Sequence, residues 1–195
     1  DHCREAGIDV RQLQMIPDIP TSYTIVTSVK QTGKRTFFHH RGANSLLDMD
    51  HFDFRISNAK IFHLGYLLLL DRLDEIQPNG RTKASFVLEN AKKEGFLTSI
   101  DLVSEDSDRF TTIIPCALPY VDYLFLNEYE ASQLSGVNLM EVTDPAEMDR
   151  RCQDVFKVIF RMGVSEWIII HHPDGVWASH RDGRQLFQPS LQLPQ

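Results

Sequence analysis

The sequence predicts an α/β domain, a mostly parallel sheet covered by helices on both faces, with a small β hairpin set ahead of it. Three observations carry this. Short apolar runs at 59–64, 96–100, 123–126 and 167–170 each lead into polar residues. Segments with apolar residues at helical spacing lie between them. Such alternation of apolar strands and amphipathic helices marks a parallel sheet with covered faces. The stretch 23–40 differs, because its strands alternate residue by residue and no helix separates them.

Asp1 to Gly7 reads as the tail of a helix stopped by glycine. Tyr23, Ile25, Thr27 and Val29 alternate with Thr24, Val26, Ser28 and Lys30, the period of a half-buried strand rich in β-branched residues. Gln31 to Lys34 supplies a turn, and Arg35 to His40 the returning strand. Ala59 to Leu64 forms the first strand of the main sheet. Ala84, Val87, Leu88 and Ala91 then define a helix that Gly95 ends. Phe96 to Ile100 runs as a strand into Asp101. Phe110, Ile113 and Ile114 predict a short helix cut by Pro115. Tyr123 to Leu126 runs into Asn127, and a short helix continues to Gly136. Asp144, Pro145 and Glu147 spell a helix start, with an apolar face from Met148 to Ile159. Trp167 to Ile170 precedes His171 and His172, and Val176–His180 with Arg184–Phe187 predict a closing hairpin.

The chain has 195 residues, with 27 acidic against 20 basic side chains and a net charge of −7. That acidity argues against bulk nucleic-acid binding. Apolar runs such as Gly65 to Leu70 fall far short of the ~20 residues of a membrane span. The three cysteines, Cys3, Cys116 and Cys152, form no Cys-x-x-Cys pair, which favours a reducing, cytoplasmic setting. The chain opens on Asp1 with its first methionine at Met15, so it is expected to be an excerpt of a longer protein or a processed product.

In an open parallel sheet, ligands bind beyond the carboxyl ends of the strands. Four predicted strands run there into His63 and Gly65, Asp101, Asn127 with Glu128 and Glu130, and His171 with His172. Asn127-x-x-Glu130 has two readings. An amide and a carboxylate at a strand-to-helix junction can order water around Mg²⁺ near phosphates. The same spacing is a helix capping box, and on spacing alone capping is favoured. Asp101 offers a carboxylate to sugar hydroxyls, or opens an Asx turn. His39, His40, His63, His171 and His172 lack the i, i+4 spacing of a helical zinc pair and have no neighbouring cysteine. No phosphate-cradling Gly-x-x-x-x-Gly-Lys-Ser/Thr loop and no Gly-x-Ser-x-Gly elbow occurs.

The order of parts resembles the ribokinase-like, or PfkB, carbohydrate kinases. The hairpin with Gly33-Lys34-Arg35-Thr36-Phe37-Phe38 leads through Arg41-Gly42-Ala43-Asn44 to Asp122-Tyr123-Leu124-Phe125-Leu126-Asn127-Glu128-Tyr129-Glu130-Ala131. The resemblance implies a Rossmann-like core and transfer of the ATP γ-phosphoryl group to a sugar hydroxyl with Mg²⁺. It makes the hairpin, 18–45, a β lid over the sugar and a dimer contact. Residues 1–17 become an upstream helix end and connector, and 46–195 a partial core. Asn127 and Glu130 would serve Mg²⁺ and phosphates, through water. Asp101, Asn44 and His63 would face the substrate, and Gly175 the nucleotide.

Two departures stand beside the resemblance. The family's Gly-Ala-Gly-Asp signature, with its catalytic base, is absent, so the base is expected beyond Gln195 and the fragment alone is expected to be inactive. The loop His171-His172-Pro173-Asp174-Gly175 keeps only the glycine of the family's nucleotide-side pattern. A non-catalytic ligand-binding or regulatory protein on the same fold is the alternative reading.

Overall fold

The computed structural model describes residues 2–191. The first residue of the expected opening helix, Asp1, and the end of the expected core unit, 192–195, lie outside that range. Helix α1 (His2–Glu5) leads into Gly7, whose φ of +76° turns the chain away. Strands β1 (Tyr23–Ser28) and β2 (Arg35–His40) form an antiparallel sheet of their own, with Tyr23 opposite His40 and Ser28 opposite Arg35. Alternation predicts one buried face for this hairpin, but both faces are exposed, Phe37 at 57% and Phe38 at 59%. The period of two survives because pleating alone sets it; burial also needs a covering layer, and none of the described residues buries this hairpin. Its base is pinned where the Ala43 amide donates to the Pro20 carbonyl at 2.9 Å. Gly42 permits that close return: its φ is +50°, and a Cβ there would lie 2.3 Å from the same carbonyl.

The main sheet has six strands in chain order: β3 (Ile61–Leu67), β4 (Leu97–Leu102), β5 (Tyr123–Asn127), β6 (Trp167–His172), β7 (Gly175–His180) and β8 (Gln185–Pro189). The first four are mutually parallel, and the last two add antiparallel pairings at one edge. Helix α2 (Lys83–Lys93) starts at Thr82, whose hydroxyl accepts from the Ser85 amide. Pro115 does not cut a helix as expected. It opens one: α3 (Arg109–Thr112) stops and Pro115 sits in the first turn of α4 (Ile114–Ala117), where a missing amide proton costs nothing. Helix α5 (Glu128–Ser135) closes on the left-handed Gly136, and α6 (Pro145–Arg161) begins at Asp144. At Asp144 the side chain accepts from the Ala146 amide, while Glu147 pairs with Arg150 and Arg151 instead of returning to the cap.

Leu64, Ile100, Leu124, Leu126, Ile168 and Ile170 are buried on one face of the sheet with Leu88, Ala91, Leu134, Val155 and Ile159 from the helices. Each of the leucine, isoleucine and valine side chains contributes about 2 kcal/mol of burial, which makes the sheet a rigid mount for whatever its tips carry. By the two-residue period, His63, Ser99, Asp101, Phe125, Asn127 and His171 project to the opposite face.

At the amino ends of the strands, Asp122 is 4% exposed and ties three strands together. One carboxylate oxygen accepts from the Thr98 amide (2.8 Å) and hydroxyl (3.1 Å). The other accepts from Ser165 and pairs with Lys92. Its carbonyl accepts from the first amide of β6, Trp167, at 2.8 Å. Among the described residues, no helix is long and apolar enough to cross a membrane.

Candidate functional site

The carboxyl ends of β3 to β6 bring the polar residues singled out in the sequence to one rim. Asn127 is the last residue of β5 and the N-cap of α5. Its side-chain oxygen accepts from the Glu130 amide at 2.8 Å, and Glu130 returns a carboxylate oxygen to the Asn127 amide at 3.0 Å. Both arms of a capping box are therefore formed. Capping does not exhaust either residue. The Asn127 amide nitrogen donates to the Ser104 hydroxyl at 2.8 Å, and that hydroxyl donates to the second Glu130 oxygen at 2.9 Å. Glu130 is 3% exposed, whereas Ser104 faces solvent.

Ser104 carries no signal in the sequence beyond its place in a polar run, Ser104 to Asp108, after a strand. Its loop is braced from two sides. Tyr129 donates its hydroxyl to the Glu105 carbonyl at 3.0 Å, and Arg109 pairs with the Glu105 carboxylate at 3.1 Å. Arg109 also donates to the Leu68 carbonyl at 2.9 Å and pairs with Asp74 at 2.9 Å, tying this loop to the one after β3. Burial pushes the Asp74 carboxyl up to about 6, against the pull of Arg109 and the Leu68 amide.

Asp101 sits beside this network. Burial raises its pKa above the ordinary carboxylate range, opposed by the Leu102 amide and by His171 and His63 on either side. Glu130 is raised too, first by burial and further by the charge of Asp101, while the Asn127 amide and the Ser104 hydroxyl pull it back. Two half-repelling carboxylates on one rim gain from a nearby cation. His63 hydrogen-bonds through Nδ1 to the Ser99 hydroxyl at 3.0 Å, one step down the same face.

The remaining candidates fall elsewhere. Asn44 donates its side-chain amide to Ser22 at 2.9 Å, at the base of the hairpin, and lines a depression with Ile16 and His51 instead of the rim. Gly175 lies where β7 leaves the rim, and its small size serves packing. A Cβ there would meet the Gln188 carbonyl and the Phe187 ring, each at 2.6 Å. His39 bonds to Thr24, and His40 stacks on Tyr23. A concavity of about 430 Å³ opens over the rim, lined by Asn127, Tyr129, His171 and His172 and by Arg35 of the hairpin. A second one of similar volume, at Asp53, Arg55 and Glu94, lies by the C-terminal end of α2, toward the amino ends of the strands.

Among the described residues, no three His, Cys, Asp or Glu side chains converge on a common metal position. Mg²⁺ does not require such a cage, since it keeps several waters and takes few protein carboxylates when a substrate supplies phosphate oxygens. Asn127, Ser104 and the buried charge of Glu130 suit a hydrated ion held through water, since Glu130 is buried behind the Asn127 amide and the Ser104 hydroxyl.

Solved structures of the same fold share this framework. A ribokinase from Cryptococcus neoformans var. grubii serotype A in complex with ADP superposes with a TM-score of 0.73 at 14% identity, over 98% of this chain and 58% of its own. A fructokinase from Xylella fastidiosa with bound ATP gives 0.68 at 16% identity, over 98% and 56%. A Burkholderia thailandensis nucleoside kinase in complex with inosine gives 0.61 at 14% identity, over 100% and 55%. The chain thus spans little more than half the length of each of these proteins. Residues 1–190 match the pfkB family carbohydrate kinase pattern, and the chain belongs to the pfkB family of carbohydrate kinases.

Proposed function

We propose that the full-length protein transfers the γ-phosphoryl group of ATP, with Mg²⁺, to a hydroxyl of a sugar or sugar-like substrate. The observation that carries this reading is the Asn127–Glu130 junction beside Asp101 at the strand tips, in a chain of this family. Phosphoryl transfer relies on positioning and on electrostatic stabilisation more than on covalent help from the protein. Mg²⁺, when bound, neutralises phosphate charge. The Asn127 amide, fixed by the Glu130 amide and by Ser104, presents a set orientation to the phosphate region. Glu130 supplies a buried negative charge behind it. Asp101 accepts hydrogen bonds from substrate hydroxyls, with His63 on the same face. We assign Asn44 to the substrate side of the hairpin, which acts as a lid when it closes, and Gly175 to the nucleotide side. The proton-abstracting base is assigned to none of the described residues. The open faces of the hairpin, with Ile25, Val26, Phe37 and Phe38 exposed, favour a homodimer formed through the lid. The three free cysteines favour a cytoplasmic setting.

The test is an ADP-release screen of the full-length protein against sugars, sugar acids and nucleosides. Release above the ATP-only background for one substrate class, abolished by chelating Mg²⁺, is the expected result. Saturable ligand binding without any release would overturn the kinase reading in favour of a non-catalytic binder.

A further inference from the structure

We infer that Ser104 is the residue through which buried Glu130 acts on the hydrated metal ion, a positioning residue for the Mg²⁺–phosphate region. The inference rests on the sugar-kinase reading above. Glu130 is 3% exposed, so a hydrated ion at the rim cannot meet its carboxylate directly. What solvent meets is the group on either side of it, the Asn127 amide and the Ser104 hydroxyl.

The hydroxyl inventory is decisive. A serine has one donor and two acceptor lone pairs. The donor goes to Glu130 (2.9 Å), and one lone pair takes the Asn127 amide (2.8 Å). One lone pair is left on the exposed side. A hydroxyl that donates to a carboxylate is polarised into a better acceptor. A metal-bound water is a strong donor, so the vacant lone pair matches it in sign and place. The same hydroxyl fixes which way the Asn127 amide points, because the nitrogen must face Ser104 and the oxygen the Glu130 amide. The loop carrying Ser104 is held on both sides by Tyr129 and Arg109, so the hydroxyl is placed before any ligand arrives.

Calorimetric titration of the full-length protein with ATP, with and without Mg²⁺, tests this. Ser104→Ala is expected to weaken binding of Mg·ATP about tenfold, the loss of one charge-assisted hydrogen bond. Binding of metal-free ATP should change by less than about twofold, since the lost group faces the metal's water and not the nucleotide. Ser104→Thr, which keeps the hydroxyl, should restore Mg·ATP binding to within about threefold of wild type. If Ser104→Ala fails to fold, Ser104→Cys keeps the volume with a poor donor and makes the same comparison. Equal loss with and without Mg²⁺, or wild-type Mg·ATP binding by the variant, overturns the role of Ser104 while leaving the kinase reading intact. A wild-type protein whose ATP binding is indifferent to Mg²⁺ overturns both.

Discussion

Replacing Glu130 by Gln in the full-length protein is expected to lower Mg²⁺-dependent turnover about a hundredfold, the scale seen when one preorganised electrostatic group is removed. It should leave the melting temperature close to that of wild type. The two effects separate because Glu130 has two tasks. Its return to the Asn127 amide caps α5, and a glutamine carbonyl can do the same. Its charge toward Ser104 and the rim is lost with the substitution. Glu130→Ala should add a stability loss of about 1 kcal/mol, because the return arm of the capping box to the Asn127 amide goes as well. Steady-state kinetics beside thermal melts check both. Full activity in the Gln variant would reduce Glu130 to a capping residue. The pH profile carries a matching signature. Burial raises the Glu130 pKa above the ordinary range, so the native state holds its proton more tightly than the unfolded chain does. Its contribution to stability is present at acid pH and is lost as pH rises through the native value. Turnover runs the other way, rising as the carboxylate ionises. The Gln variant should lose both dependences.

Asp122→Ala should cost about 3 kcal/mol of stability, at the lower end for breaking a buried pair because Lys92 stays partly in water. Removal of the carboxylate strands the Thr98 amide and leaves Lys92 without its partner, at the end of the sheet remote from the rim, while the Thr98 and Ser165 hydroxyls keep the Tyr120 and Val121 carbonyls. Burial alone would raise the Asp122 pKa, but Lys92, Ser165 and the Thr98 amide together hold it below the ordinary range. The native state thus holds this proton less tightly than the unfolded chain. Its stabilisation is in force above the unfolded pKa and disappears as pH falls through the lowered one. Urea denaturation at neutral and acid pH checks the magnitude and the sign. An alanine variant within about 0.5 kcal/mol of wild type, the range of an ordinary surface change, would contradict the role of Asp122.

The parallel strands were plain in the sequence because continuous apolar runs such as 123–126 and 167–170 make sense only when a sheet is buried. The rim followed from their polar ends. Asn127 and Glu130 could be found at a spacing of three, yet spacing could not separate cap from phosphate site, and the structure shows the cap to be real without ending the second reading. Ser104 is invisible in the sequence for a physical reason. Its partners are 23 and 26 positions away, and a serine in a polar run has no periodicity to betray it. Burial of the hairpin is not legible in its sequence, because alternation reports pleating and cover belongs to tertiary context. Pro115 fits a helix stop and a first turn equally well in the sequence, and only the break at Ile113 decides between them.

Paramagnetic broadening by Mn²⁺ with ATP, read on the backbone amides of the isotope-labelled full-length protein, tests the location of the phosphate site most directly, because it falls steeply with distance from the ion. Broadening centred on Ser104, Asn127, Glu128 and His171, with Asp53, Glu94 and Asp122 unaffected, is the predicted result. Broadening centred on Asp53 and Glu94, by the C-terminal end of α2, would contradict a phosphate site at the strand tips.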